Sequence, residues 1–324
     1  MIKMLKLDFK DRKLLYELDC NSRQTIQQLA KKIGLSKDAI KYRINQLIKE
    51  GIIKSFNAVI DTGKLGFISF RLLLKFYNLS PSKENEILNF LLKNKNLIWL
   101  VQAEGSWDMN TWFLYKSIEE MNHFYETFLK RYNNYIQKRE FGIYSSVIYY
   151  GREYLLDKGN NFSMQVVSIP KEQKLSESEI KIIALLSKDA RRSIIDMAKE
   201  SKLTPKTVIA NIRKLEEKKI ILGYRTEFNL DKLGYKYYKV HISTFNITPE
   251  KIKELNQYIE RNKNIIYYDK VLGGYDIEIE IQMENEDKLR DLIDDLKKHF
   301  SGIIKDYDIL NYYKEYRLRF FPSL

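Results

Sequence analysis

The feature that most constrains this chain is that it is written twice. With Leu7 set against Leu175, the two stretches stay in step without a gap. Leu29-Ala30 meets Met197-Ala198, Leu35-Ser36 meets Leu203-Thr204, and Ile52-Ile53 meets Ile220-Ile221. Further along, Leu65-Gly66 meets Leu233-Gly234, and Gly105-Ser106-Trp107-Asp108 meets Gly273-Gly274-Tyr275-Asp276. The register still holds where Ile136 meets Ile304 and Tyr144 meets Tyr312. An offset sustained over so much chain means two copies of one structural unit, so any fold proposed for one must serve the other.

Each copy changes period half-way. From Leu7 the apolar residues recur at spacings of three and four (Leu14, Leu18, Ile26, Leu29, Ile33, then Ile40, Ile44, Leu47), which predicts three short helices. Thr25 with Gln28, and Ser176 with Glu179, have the spacing of capping boxes, and Thr204-Pro205 reads as an N-cap followed by proline at the first helical position. Beyond Gly51, alternation over Phe56–Ile60 predicts a short strand pair, a wing. The second half reads strand 69–76, helix 81–94, strands 97–103 and 109–115, helix 117–132 and strand 136–149. That order is β-α-β-β-α-β, the ferredoxin-like arrangement, and copy two repeats it from Tyr237 to Tyr316. The expected fold class is therefore α+β, with two winged helix-turn-helix domains (1–67 and 175–235) alternating with two ferredoxin-like domains (68–150 and 236–324), and 151–174 as linker.

Composition narrows the setting. The 324 residues are 44% hydrophobic with only 13 Gly and 5 Pro, which argues for packed cores rather than disorder. No apolar run approaches the roughly 20 residues that span a bilayer, and Met1–Leu7 lacks the pattern of a secretory leader. One cysteine, Cys20, and three scattered histidines (His123, His241, His299) argue for a reducing cytosol and against a thiol-metal site, and no metal or cofactor is expected. The expectation is a soluble cytoplasmic protein.

The formal charge is +13, and its placement is more telling than its sum. Residues 1–68 carry about +7 and 175–236 about +5, whereas 69–150 carry about +2 and 237–324 about −2. Basicity gathered in the trihelical segments is what phosphate contact requires. In the first copy, the second and third helices flank Gly34 with helix-turn-helix proportions. If Ile40, Ile44 and Leu47 face the core, then Asp38, Tyr42 and Asn45 point outward beside Lys37 and Lys41. In this motif the start of the second of these helices enters the major groove. The candidates for base edges are Lys41, Tyr42 and Asn45, with Ser36, Lys37, Asp38 and Arg43 at phosphates or edges. Copy two offers Thr204, Lys206, Arg213 and Lys214, so the two copies predict a composite site on double-stranded DNA with unlike halves. A solvated polar face, or a second copy that has lost DNA contact, is the alternative.

These residues resemble the Lrp/AsnC (feast/famine) transcription regulators. The resemblance rests on Leu7-Asp8, on Arg23 through Leu29-Ala30, on Leu35-Ser36 with Arg43-Ile44 and Leu47, and on Glu50-Gly51-Ile52-Ile53 and Leu65-Gly66. The hairpins Gly105–Asp108 and Gly273–Asp276 complete it. The departure is the tandem fusion, since members usually carry one such unit per chain and dimerise through the ferredoxin-like (RAM) domain. The resemblance implies an intramolecular pseudo-dimer, leaving a homo-oligomer open, and a small effector, often an amino acid, near Gly105, Asp108, Gly273 and Asp276. Ordinary hairpin chemistry accounts for the same four residues.

Two rival functions remain at this point. Siroheme decarboxylases resemble the same two-part fold, but Leu97–Trp112 and Ile265–Ile281 hold neither histidine nor arginine, and the three histidines read as surface or edge residues. No catalytic residue is expected. An RNA-binding or protein-docking winged helix is the other rival, although the tyrosines fall in strands where cross-strand packing explains them.

Overall fold

The computed structural model describes residues 7–157 and 162–322. Met1–Lys6, read above for a leader, and residues 158–161 of the expected linker lie outside the described residues.

Three helices open the first copy: α1 (Phe9–Cys20), α2 (Ile26–Ile33) and α3 (Lys37–Lys49). Asp8 accepts the Asp11 N–H at 2.7 Å and Asp11 accepts the Asp8 N–H at 3.1 Å, closing two donors that a helix start leaves orphaned. Thr25 and Gln28 do the same for α2, and the Ser36 hydroxyl accepts the Ala39 N–H to start α3. The chain continues as β1 (Ile53–Ile60), β2 (Ile68–Phe76), α4 (Pro81–Lys93), β3 (Leu97–Glu104), β4 (Met109–Tyr115), α5 (Ile118–Tyr132) and β5 (Ile136–Tyr150). A short strand, β6 (Ser163–Val167), lies in the expected linker and pairs with the end of β5. Copy two supplies α6 (Glu177–Leu186), α7 (Ile194–Ser201), α8 (Pro205–Glu217), β7 (Ile221–Phe228) and α9 (Leu230–Leu233). It ends with β8 (Lys236–Thr244), α10 (Pro249–Arg261), β9 (Ile265–Leu272), β10 (Ile277–Met283), α11 (Glu286–Phe300) and β11 (Ile304–Leu318).

The wing differs from the local strand pair that the alternation suggested. Each copy contributes one strand, and β1 pairs antiparallel with β7, Phe56 opposite Thr226 and Asn57 opposite Arg225. The wing is shared between copies, because the partner that best continues a strand is its own symmetry mate across a two-fold axis.

The two ferredoxin-like sheets also join. Within the first the order is β5-β2-β4-β3, and within the second β11-β8-β10-β9. β3 then pairs with β11, Glu104 opposite Asn311, and β5 pairs with β9, Ile143 opposite Leu272. These two seams are symmetry copies of each other, and they close eight strands into a barrel with no free edge. Helices α4 and α5 cover one outer face over Phe70, Leu72, Leu74 and Phe113, while α10 and α11 cover the other over Val240, Ile242, Ile279 and Ile281.

The opposite side chains of the same strands point into the barrel, and there the copies diverge. Copy one contributes Leu73, Trp99, Val101 and Trp107 to an apolar cluster that Leu310 and Tyr312 complete. Copy two contributes Lys239, His241, Asp269, Glu278 and Glu280, all buried. Arg71, fully buried, donates to Glu278 and to Glu140 (2.5 Å). Lys239 pairs with Asp269 and lies 3.2 Å from Glu278 and 3.4 Å from Glu280. Burial pushes the Asp269 carboxyl up to about 7 despite Lys239, whereas Lys239 and Arg71 overcome the burial of Glu278 and hold it down at about 2.

His241 corrects an expectation. It is not at the surface but enclosed in the barrel, stacked on Tyr275 at 4.3 Å with Glu278 at 3.6 Å, and burial lowers its pKa. Its neighbourhood also contains Arg71 of β2, which lies outside both hairpins.

Candidate nucleic-acid interface

The turn between α2 and α3 is made by Gly34 at φ +74°, a left-handed conformation that glycine adopts without strain. Copy two makes the same turn with Lys202 at φ +57°. Behind each turn the first helix braces the third: Arg43 of α3 reaches Asp8 (2.9 Å) and Asp11 (2.5 Å), and Lys214 of α8 reaches Glu179 (3.0 Å) at the start of α6. Arg43 is thus engaged against α1 rather than projecting outward, and Lys214, although exposed, is paired.

The remaining candidates are open to solvent. On α3 these are Ser36, Lys37, Asp38, Lys41, Tyr42 and Asn45, and Tyr42 keeps 64% of its surface exposed. On α8 Thr204, Lys206 and Arg213 are exposed, while Val208, Ile212 and Leu215 fill the core beneath. Ser36 and Thr204 are also the helix caps, their hydroxyls accepting the Ala39 and Thr207 N–H groups at 3.2 and 3.1 Å. A backbone N–H cluster at a helix start, with lysines on the adjoining turn, suits a phosphate.

Sequence reading missed what fixes the two helix-turn-helix units to each other. The Arg23 guanidinium donates to the carbonyls of Ala190 and Arg192 (3.3 Å to the latter). Its symmetry mate Arg191 donates to the carbonyls of Ser22 and Gln24 (3.0 Å to the latter). Ser22 N–H binds Tyr224 O and Ala190 N–H binds Phe56 O, both at 2.8 Å, so each unit is tied to the shared wing as well. The signal available was Arg23 standing opposite Arg191 in the repeat, two arginines in one register.

Comparison with known proteins agrees with this arrangement. The family model described as winged helix-turn-helix DNA-binding matches residues 7–54 and again 175–221. The HTH-type transcriptional regulator Ptr1 of Methanocaldococcus jannaschii is 31% identical over 118 residues, 36% of this chain and 78% of that protein. The chain belongs to the HTH-type transcriptional regulators. The regulator FL11 of Pyrococcus horikoshii is 29% identical over 118 residues, 36% of this chain and 77% of its own. Each relative thus aligns with a stretch about the length of one copy, and this regulator carries two. In fold it matches the crystal structure of the siroheme decarboxylase NirDL over 95% of its length and 92% of that chain, with a TM-score of 0.63 and 13% identity. This DNA-binding transcription regulator therefore shares its architecture with a protein of that title, a likeness of fold alone.

The hairpin residues have structural work in the regulator. Asp108 accepts the Phe76 N–H at 2.8 Å and pairs with Lys75 at 2.7 Å. Asp276 accepts the Thr244 N–H at 2.6 Å and the Thr244 hydroxyl at 2.9 Å. Phe76 and Thr244 correspond in the repeat, so both carboxylates tie a hairpin turn to the end of the neighbouring strand. Gly105 and Gly273 sit at φ +129° and +81°. Among the described residues no cluster suits a metal, and no helix is long and apolar enough to cross a membrane.

Proposed function

We propose that the regulator binds double-stranded DNA sequence-specifically in the cytoplasm, as a single-chain pseudo-dimer that reads two unlike half-sites. The observation that carries this reading is the pair of exposed cationic faces on α3 and α8, locked two-fold by Arg23 and Arg191. Lys41, Tyr42 and Asn45 take base edges; Ser36, Lys37 and Asp38 lie at the groove rim; Thr204, Lys206 and Arg213 serve the second half-site. Arg43 and Lys214 act from behind, by holding α3 and α8 at a fixed angle. An amino-acid effector belongs to the same reading, and Gly105, Asp108, Gly273 and Asp276 are where it would meet the hairpins. Selection of bound sequences from a random duplex pool, with and without amino acids, tests all of this. Two different motifs at fixed spacing support it, and recovery of no motif defeats it.

A second reading, catalysis on a tetrapyrrole, has one observation in its favour. His241 and Arg71 both contact Glu278 inside a fold shared with NirDL. We favour a non-enzymatic regulator because both nitrogens of His241 are enclosed and its neighbours are Glu278, Asp308 and Tyr275, which leave no open face for a large substrate. Turnover of a haem precursor by the purified protein would reverse this preference.

A further inference from the structure

One mouth of the barrel meets the shared wing, and there a recess of about 60 Å³, open on one side, is lined by Trp99, Trp112, Tyr144, Tyr237 and Tyr267. Its polar lining comes from two sides. On the wing side Arg225 and Arg152 are both buried and share one enclosed carboxylate, Asp19 of α1. Arg152 binds Asp19 at 2.5 Å and Gln282 at 2.9 Å, so it is satisfied. Arg225 lies 3.8 Å from Asp19, donates to the Tyr267 hydroxyl at 2.6 Å, and leaves its Nε without a partner. Glu227 of the wing and Glu315 of β11 also line the recess, and both are held by Lys54 (3.3 and 3.8 Å). On the barrel side Asp269 and Glu280 share Lys239, and Asp269 Oδ1 has no hydrogen-bond partner. Trp112, which also lines the recess, leaves its indole N–H unpartnered.

Three buried polar atoms without partners, all on residues that line one recess, are costly in an empty protein and less so if an occupant reaches them. Two are donors and one is an acceptor. Tyr267, which holds Arg225, stands two residues before Asp269 on β9, a strand step of about 7 Å. An α-amino acid carries its carboxylate and ammonium on one carbon and cannot reach both walls with them. We propose that this recess is a ligand site for a small aromatic carboxylate whose carboxylate meets Arg225 and Trp112 and whose N–H donor, at the far end of the ring, meets Asp269. Its regulatory consequence rests on the DNA-binding reading. Arg225 belongs to the wing and faces Asp19 of α1, so an occupant joins barrel, wing and first helix-turn-helix unit.

Tryptophan fluorescence of the full chain is the assay, with 4-aminobenzoate as probe, because Trp99 and Trp112 both line the recess. The expected result is saturable quenching by 4-aminobenzoate, with benzoate (no donor) and aniline (no carboxylate) each about tenfold weaker. L-phenylalanine should not compete. Trp112→Phe keeps the ring and loses the N–H, and Asp269→Asn keeps the acceptor but not the charge. Each should weaken the probe about five- to tenfold while DNA affinity without ligand stays unchanged, and Trp99 still reports binding in the first variant. Absence of saturable quenching, equal affinity for L-phenylalanine, or unchanged affinity in both variants overturns the proposal. The DNA assay is separate. Ligand binding without DNA binding would sink the regulator reading, and DNA binding without ligand binding would sink this one.

Discussion

Lys202 and Lys219 hold φ at 57° and 53°, where the first copy has Gly34 and Gly51. A β-carbon in the left-handed region costs roughly 1 kcal/mol, so Lys202→Gly should raise stability by about 0.5–1 kcal/mol. A higher urea midpoint at unchanged slope is the measurement; an equal or lower midpoint would mean that the lysine side chain contributes more than the strain removes. Glu179 offers a pH test. Burial pushes its carboxyl up, but the Ser176 N–H and Lys214 outweigh that and hold it at about 2. The folded value lies below the ordinary 4.5, so the contribution is complete above that pH and is lost as pH falls towards 2. Glu179→Gln should therefore cost about 2 kcal/mol at pH 7, with the gap to the parent closing between pH 4.5 and 2. Caps such as Ser176 and Thr25 were legible in the sequence because donor and acceptor lie three residues apart. The Arg43–Asp8 and Arg225–Tyr267 bonds were not, since each joins residues 35 or more positions apart.

At the scale of elements the hydrophobic period located nearly every helix and strand, because each is apolar on one face. It could not reveal that the two sheets close into one barrel. The inward faces of β2, β8 and β10 carry Arg71, Lys239, Glu278 and Glu280, and alternation of apolar with charged residues reads the same for a solvated face as for a polar interior. The same limit applies to α3, where exposure separates the residues proposed for the groove from the brace Arg43. Lys41→Ala should weaken DNA binding and reduce the salt slope by about 1, as loss of one phosphate contact or cationic edge contact does. Arg43→Ala should weaken binding at every salt concentration without changing the slope, since its charge is already matched by Asp8 and Asp11. If both variants lower the slope, Arg43 leaves α1 to meet DNA and its bracing role fails.

The whole molecule is a dimer that has become one chain, and its interior records the consequence. In a homodimer every barrel position occurs twice with the same residue. Here Val101 stands where the other copy has Asp269, Asn110 where it has Glu278, Trp112 where it has Glu280, and Leu73 where it has His241. Copy two alone would place two sets of those carboxylates around two lysines, and buried unpaired charge is strongly destabilising. Copy one alone would enclose two arginines without Glu278, the acid that Arg71 binds most deeply. Residues 1–157 and 162–324 produced as separate chains should therefore assemble as a one-to-one heterodimer and not as two homodimers. Native mass spectrometry of the mixture distinguishes these outcomes. The same asymmetry predicts unlike DNA half-sites: an operator whose second half-site repeats the first should bind far more weakly than one with unlike halves. Substituting Arg213 by Ala should abolish that preference while leaving recognition by α3 intact. Equal binding to both operators would mean that only the first copy reads sequence, and that the second persists to complete the barrel.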